Sequence, residues 1–138
     1  MFRSDTHILV VDDSINIRRI VVDHLQKLGF SKIVAAENTA EALEKLKSYK
    51  QSGSPIQLVL SDLNMPGPSG LDFLKEVRKD PQYQALPFIL ITTESEKGAV
   101  IEAAVNGVSG YIVKPFNADT LTKRLKEAYR KHYPEGLN

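Results

Sequence analysis

The sequence contains no cysteine. Disulfides and thiolate metal sites are thereby excluded, and a reducing compartment is the natural expectation. No apolar run approaches the roughly 18 residues that cross a bilayer. The N-terminus, MFRSDTHILVVDD, lacks the charged-then-apolar pattern and small-residue cleavage site of a secretory signal. A soluble, cytoplasmic protein is expected. Charge of one sign is not in excess: 18 basic against 17 acidic residues leave a net charge of +1. Neither nucleic acid nor a membrane surface is therefore expected as a partner. Neither G-x-G-x-x-G nor G-x-x-x-x-G-K-[ST] follows the first apolar run, which argues against the common nucleotide-binding α/β enzymes. The three histidines, His7, His24 and His132, fall at no strand end and read as ordinary strand, helix and tail residues. A zinc site is accordingly not expected. No internal repeat, low-complexity tract or interdomain linker interrupts the chain.

What is present is an alternation. The 138 residues suit one domain, residues 1–131, with a short tail at 132–138. His7–Val11, Lys32–Ala36, Gln57–Ser61, Pro87–Thr92 and Gly110–Val113 are short and apolar, rich in β-branched residues, as strands buried on both faces are. Between them apolar residues recur at helical spacing. Ile17, Ile20, Val21, Leu25 and Leu28 precede a stop at Gly29; Ala42, Leu43 and Leu46 follow a cap at Asn38; Leu71, Leu74 and Val77 end before Asp80-Pro81. Val100, Ile101, Ala104 and Val105 line a fourth helix closed by Asn106-Gly107. Leu121, Leu125, Ala128 and Tyr129 form the stripe of a fifth, capped by Asn117. Gln51–Pro55 reads as a loop. The order (βα)₅ predicts an α/β fold: a doubly wound, parallel five-stranded sheet with helices on both faces.

In such sheets ligands bind beyond the carboxyl ends of the strands, where strand order reverses. The residues at those ends are Asp12 and Asp13, Asp62, Thr92 and Thr93, and Lys114 before Pro115. Any one aspartate there is ordinarily a turn residue or helix cap. The set is different. Two unit charges about 5 Å apart repel by about 3 kcal/mol at an effective dielectric near 20, and one Lys114 cannot neutralise three carboxylates. A divalent cation could. Mg²⁺, with Mn²⁺ as its substitute, takes oxygen ligands and is commonly held by one or two carboxylates plus phosphate oxygens. Asp12, Asp13 and Asp62 meet that demand, and the loop at Asn64 can add a backbone carbonyl. Phosphoryl transfer then has its parts: Asp62 as carboxylate nucleophile, Lys114 as a point charge, and the Thr92 hydroxyl as a donor. The Lys114-Pro115 bond is a candidate cis peptide.

The segments VVDDS, LVLSDLNMPGPSG, ILITTES and GYIVKPF, in this order and spacing, resemble the receiver domain of two-component response regulators. The likeness covers nearly the whole chain. RRIV, SDLNMP, LPFILITTESEK and GVSGYIVKPFNADTL are similar to the single-domain chemotaxis subgroup. The resemblance implies a flavodoxin-like strand order 2-1-3-4-5, Asp62 as phosphoacceptor, and Asp12 and Asp13 as metal-binding pair with the Asn64 carbonyl. It implies Lys114 as phosphate-binding lysine before a cis Pro115, and Thr92 and Tyr111 as a switch pair. Asn64, Thr93 and Glu94 stand where such proteins tune dephosphorylation. The implied partners are a histidine kinase (CheA-like), a flagellar motor switch protein or other effector, and a phosphatase. A monomer without turnover of an external substrate is expected. Val105, Val108, Tyr111, Lys123 and Lys126 are candidate effector contacts. Two features depart from the family pattern: Pro68-Ser69 in the acceptor loop, and Thr93 where a small residue is usual. Two other readings remain at this point, a phosphorelay carrier or phosphate sink, and a receiver-shaped binding module.

Overall fold

All five expected strands form, each a few residues long: β1 (Ile8–Val11), β2 (Ile33–Ala36), β3 (Leu58–Ser61), β4 (Phe88–Thr92) and β5 (Gly110–Val113). The computed structural model describes residues 1–93 and 97–134. The strands are parallel in the order β2-β1-β3-β4-β5. The first two crossovers run to opposite sides of β1, so the order reverses between β1 and β3. Register does the rest. Val11 lies opposite both Ala36 and Ser61, so the next residues, Asp12 and Asp62, step off adjacent strands side by side. Thr92 pairs with Val113, so Lys114 leaves β5 beside the last residue of β4.

The period-2 alternation of strand side chains sorts the core into two layers. Leu9, Val11, Val59, Phe88 and Leu90 face α2 (Thr39–Gln51), α3 (Gly70–Lys79) and α4 (Lys97–Val105). Ile8, Val10, Leu58, Leu60, Ile89, Ile91 and Ile112 face α1 (Ile15–Lys27) and α5 (Ala118–His132). Phe73 and Phe88 are fully buried and meet edge-on with ring centroids 5.1 Å apart, each contributing roughly 1.5–3 kcal/mol by burial. α1, α2 and α5 start at side-chain caps. Ser14, Asn38 and Asn117 accept from the N–H groups of Ile17, Glu41 and Thr120.

Several sequence readings change, and Ile20 of α1 and Leu43 of α2 are exposed rather than part of a buried stripe. Val100, Ile101 and Val105 do not form a buried stripe on α4: Ile101 is 51% and Val105 79% exposed, and the helix buries Ala103 instead. α4 is apolar on most of its circumference, so composition could not say which side turns inward. The loop read at Gln51–Pro55 starts later, because α2 continues through Gln51 to a Ser52 cap, followed by Gly53 at φ +85°. His132 is no tail residue. It is the last residue of α5, half-buried, with Nε2 2.6 Å from the Ser109 hydroxyl.

Ser109 Oγ also accepts the Phe88 N–H at 3.0 Å. Its contact with the His132 ring, whose donor is set by the imidazole tautomer, ties the end of α5 to the start of β4. Burial depresses the His132 pKa, and the nearby Arg78 and Lys131 depress it further. A base depressed on folding binds fewer protons in the folded state than in the unfolded chain. Its contribution to stability is present above the unfolded value near 6.5 and is lost as pH falls from there through the folded value. Urea titrations of the wild type between about pH 7.5 and about pH 5.5 (about one unit either side of that value) should show stability falling with acidity. The fall should be shallower in His132→Gln. Parallel slopes would remove His132 from the account.

Candidate functional site

Asp12 is buried at the end of β1 and held from three sides. Its N–H donates to the Ala36 carbonyl, its Oδ1 accepts the Ser14 N–H at 2.9 Å, and its own carbonyl accepts from the Arg18 guanidinium at 2.6 Å. Asp13, next along, is exposed. Asp62 prolongs the β1–β3 ladder by donating its N–H to the Val11 carbonyl at 2.8 Å, and is 9% exposed. One oxygen from each of these carboxylates lies within 4.8 Å of the others. Lys114 reaches into the group. Its Nζ is 3.0 Å from Asp12 Oδ2 and 3.6 Å from Asp62 Oδ1, with the lysine side chain 13% exposed.

Burial pushes the Asp62 carboxyl above its ordinary range; the Lys114 ammonium opposes this, Asp12 adds to it, and the N–H groups of Leu63 and Asn64 lower it. The pocket thus carries three formal negative charges against one positive. That residual charge, on hard oxygen ligands with no histidine or cysteine among them, suits a divalent cation of the Mg²⁺ type.

The other predicted residues are placed as follows. Thr92 is fully buried at the end of β4, and its carbonyl accepts the Lys114 N–H at 2.7 Å. Thr93 is exposed immediately beyond it. Asn64 is exposed, with its N–H turned to the Asp62 carboxylate. The Lys114-Pro115 peptide is cis. Tyr111 lies back along β5, half-buried against the layer that holds Phe73 and Leu90. Glu94 lies outside the described residues. Sequence reasoning missed the supports of the acceptor loop. The Ser61 hydroxyl donates to the Asp62 carbonyl, and Ser69 and Asp72 form a reciprocal capping box at the start of α3. Only the S-x-x-D spacing of that box was readable in advance.

A receiver-domain family model, described as "Response regulator receiver domain", matches residues 8–126. The chain belongs to the response regulator receiver domain family. Its relatives include the chemotaxis protein CheY1 of Helicobacter pylori, 42% identical over 119 residues, covering 86% of this chain and 93% of that protein. CheY-3 of Vibrio cholerae is 42% identical over 124 residues, covering 90% and 92%. Among solved structures, chemotaxis protein CheY4 of Vibrio cholerae aligns with a TM-score of 0.80 at 36% identity, covering 90% of this chain and 98% of that one. A receiver domain protein from Clostridium thermocellum gives 0.79 at 26% identity, covering 94% and 98%. The chain is therefore a CheY-like receiver, and the Asp12, Asp13 and Asp62 cluster is the acidic pocket by which receivers take a divalent cation. Among the described residues no helix of this receiver is long and apolar enough to cross a membrane.

Proposed function

We propose that this receiver is a single-domain response regulator of the cytoplasm that accepts a phosphoryl group on Asp62 from the phosphohistidine of a CheA-like histidine kinase. The observation that carries the proposal is the Lys114 ammonium lodged between Asp12 and Asp62, inside a pocket still short of positive charge. An Asp62 carboxylate oxygen attacks phosphorus. The O–P bond forms as the P–N bond breaks, and the kinase imidazole leaves with the bonding pair and takes up a proton. Lys114 meets the transferred oxygens as a point charge already aimed at Asp62. The Thr92 hydroxyl donates to another oxygen, and the N–H groups of Leu63 and Asn64 stabilise the acyl phosphate. The carboxylates of Asp12, Asp13 and Asp62 and the backbone carbonyl of Asn64 would hold Mg²⁺ (or Mn²⁺), which when bound neutralises phosphoryl charge. Water later attacks phosphorus and frees the carboxylate, at a rate set around Asn64, Thr93 and Glu94 or by a phosphatase.

Output comes through binding. Movement of Thr92 toward the phosphoryl group leaves space that Tyr111 follows. This shifts the population of the face made by α4, β5 and α5, where Val105 stands exposed. The named relatives are chemotaxis proteins, so the effector we propose is a flagellar motor switch protein bound by a monomeric regulator. Incubation with a small-molecule phosphodonor and Mg²⁺ should add one phosphoryl group, about 80 Da by mass, to the wild type. Binding to the motor protein should tighten with an acyl-phosphate mimic. Uptake without any change in effector affinity would favour a relay carrier or phosphate sink. No uptake from several donors would leave a binding module.

A further inference from the structure

The loop from Asp62 to the start of α3 carries the acceptor and, two residues later, Asn64. Its near end is closed tightly. The Gly70 N–H donates to the Leu63 carbonyl at 2.7 Å, and a Cβ at Gly70 would collide with the Asp62 carbonyl. Its far end is Pro66-Gly67-Pro68, with Gly67 at φ +77°, a backbone region that favours glycine. A side chain from outside reaches this tip. Thr39, the first residue of α2 and 3% exposed, donates its hydroxyl to the Pro68 carbonyl at 3.0 Å. Thr39 is anchored independently of the loop: Asn38 caps α2 in front of it, and the helix packs Ala42 and Leu46 into the core. The tie therefore joins a rigid helix to an otherwise exposed proline-rich turn.

We infer that Thr39 is a positioning residue: by holding the Pro68 carbonyl it sets the acceptor loop, and with it the Leu63 and Asn64 backbone, against the acidic pocket. It touches no reacting atom. Without the hydroxyl, the tip keeps its proline and glycine restraints but loses its outside reference. The Asn64 backbone is then free to sample positions that meet the pocket less well. The inference rests on the phosphoacceptor reading for its effect on rate, but not for its effect on metal affinity.

Thr39→Val removes the hydroxyl at nearly constant volume, and Thr39→Ser restores it. Calorimetric Mg²⁺ titration of the purified full chain should show Thr39→Val binding about three- to tenfold more weakly, the scale of one hydrogen bond. Amide exchange at Gly70 should quicken, and the maximal rate with acetyl phosphate should fall by a similar factor. Thr39→Ser should restore all three. Thr39→Val with wild-type Mg²⁺ affinity and wild-type Gly70 exchange would overturn the inference. Failure of the wild type to react with any phosphodonor would instead overturn the phosphoacceptor reading, and the Mg²⁺ and exchange data would still decide the role of Thr39. A Thr39→Val protein that loses stability globally, but keeps its metal affinity in its folded fraction, also counts against positioning.

Discussion

Asp62→Asn should lose phosphoryl uptake entirely and gain stability. The first effect follows from chemistry, since an amide oxygen is too weak a nucleophile to form the acyl phosphate. The second follows from the pocket. Asp62 is buried beside Asp12 and Asp13, and burial holds its pKa above the usual carboxylate value even though Lys114 pulls the other way. An acid whose pKa is raised on folding makes the folded state costlier once it ionises. The cost is full above the folded pKa and disappears as pH falls to the unfolded value near 3.8. At neutral pH, removing the charge relieves its burial cost and the Asp12 repulsion, which together outweigh the lost Lys114 attraction, so the metal-free variant should be the more stable. Chemical unfolding without metal at pH 7.5 reads this directly. Added Mg²⁺ should stabilise the wild type more than the variant and narrow the gap, by linkage. A metal-free variant no more stable than the wild type would mean that the pocket is not the charge-strained site described here.

Lys114→Met should separate two properties that are easily confused. The lysine ammonium competes with a divalent cation for Asp12 and Asp62. Removing it should therefore leave Mg²⁺ affinity equal or stronger. Phosphoryl uptake should nevertheless fall by about 10²-fold or more, the usual cost of deleting a preorganised charge that stabilises a transition state. Without metal the same substitution leaves Asp12 and Asp62 buried and unpaired, and stability should drop by about 3 kcal/mol. Mg²⁺ should restore most of that loss. The double variant Lys114→Met/Asp62→Asn should be more stable than Lys114→Met alone in metal-free buffer. Calorimetric Mg²⁺ affinity, single-turnover phosphorylation and urea unfolding on the same preparations give the three readings. A parallel fall in metal affinity and rate would contradict a purely electrostatic role for Lys114.

Much of this molecule is written in its pattern. Short β-branched runs broken by helical periods determine alternating strands and helices, because a strand buried on both faces needs apolar residues throughout while each helix needs only a stripe. The same alternation places Asp12, Asp13, Asp62, Thr92 and Lys114 at strand ends, since each directly follows or ends its run. Tertiary structure decided the rest. Strand order and register set Asp12 beside Asp62 and brought Lys114 across from β5, a pairing of residues far apart in sequence that no local signal encodes. Packing chose which side of the evenly apolar α4 turns inward, burying Ala103 and exposing Val105. It also turned His132 and Thr39, unremarkable in sequence, into partners of Ser109 and Pro68. A single hydroxyl or imidazole has no periodicity to read; its role depends on which polar group the fold leaves within reach.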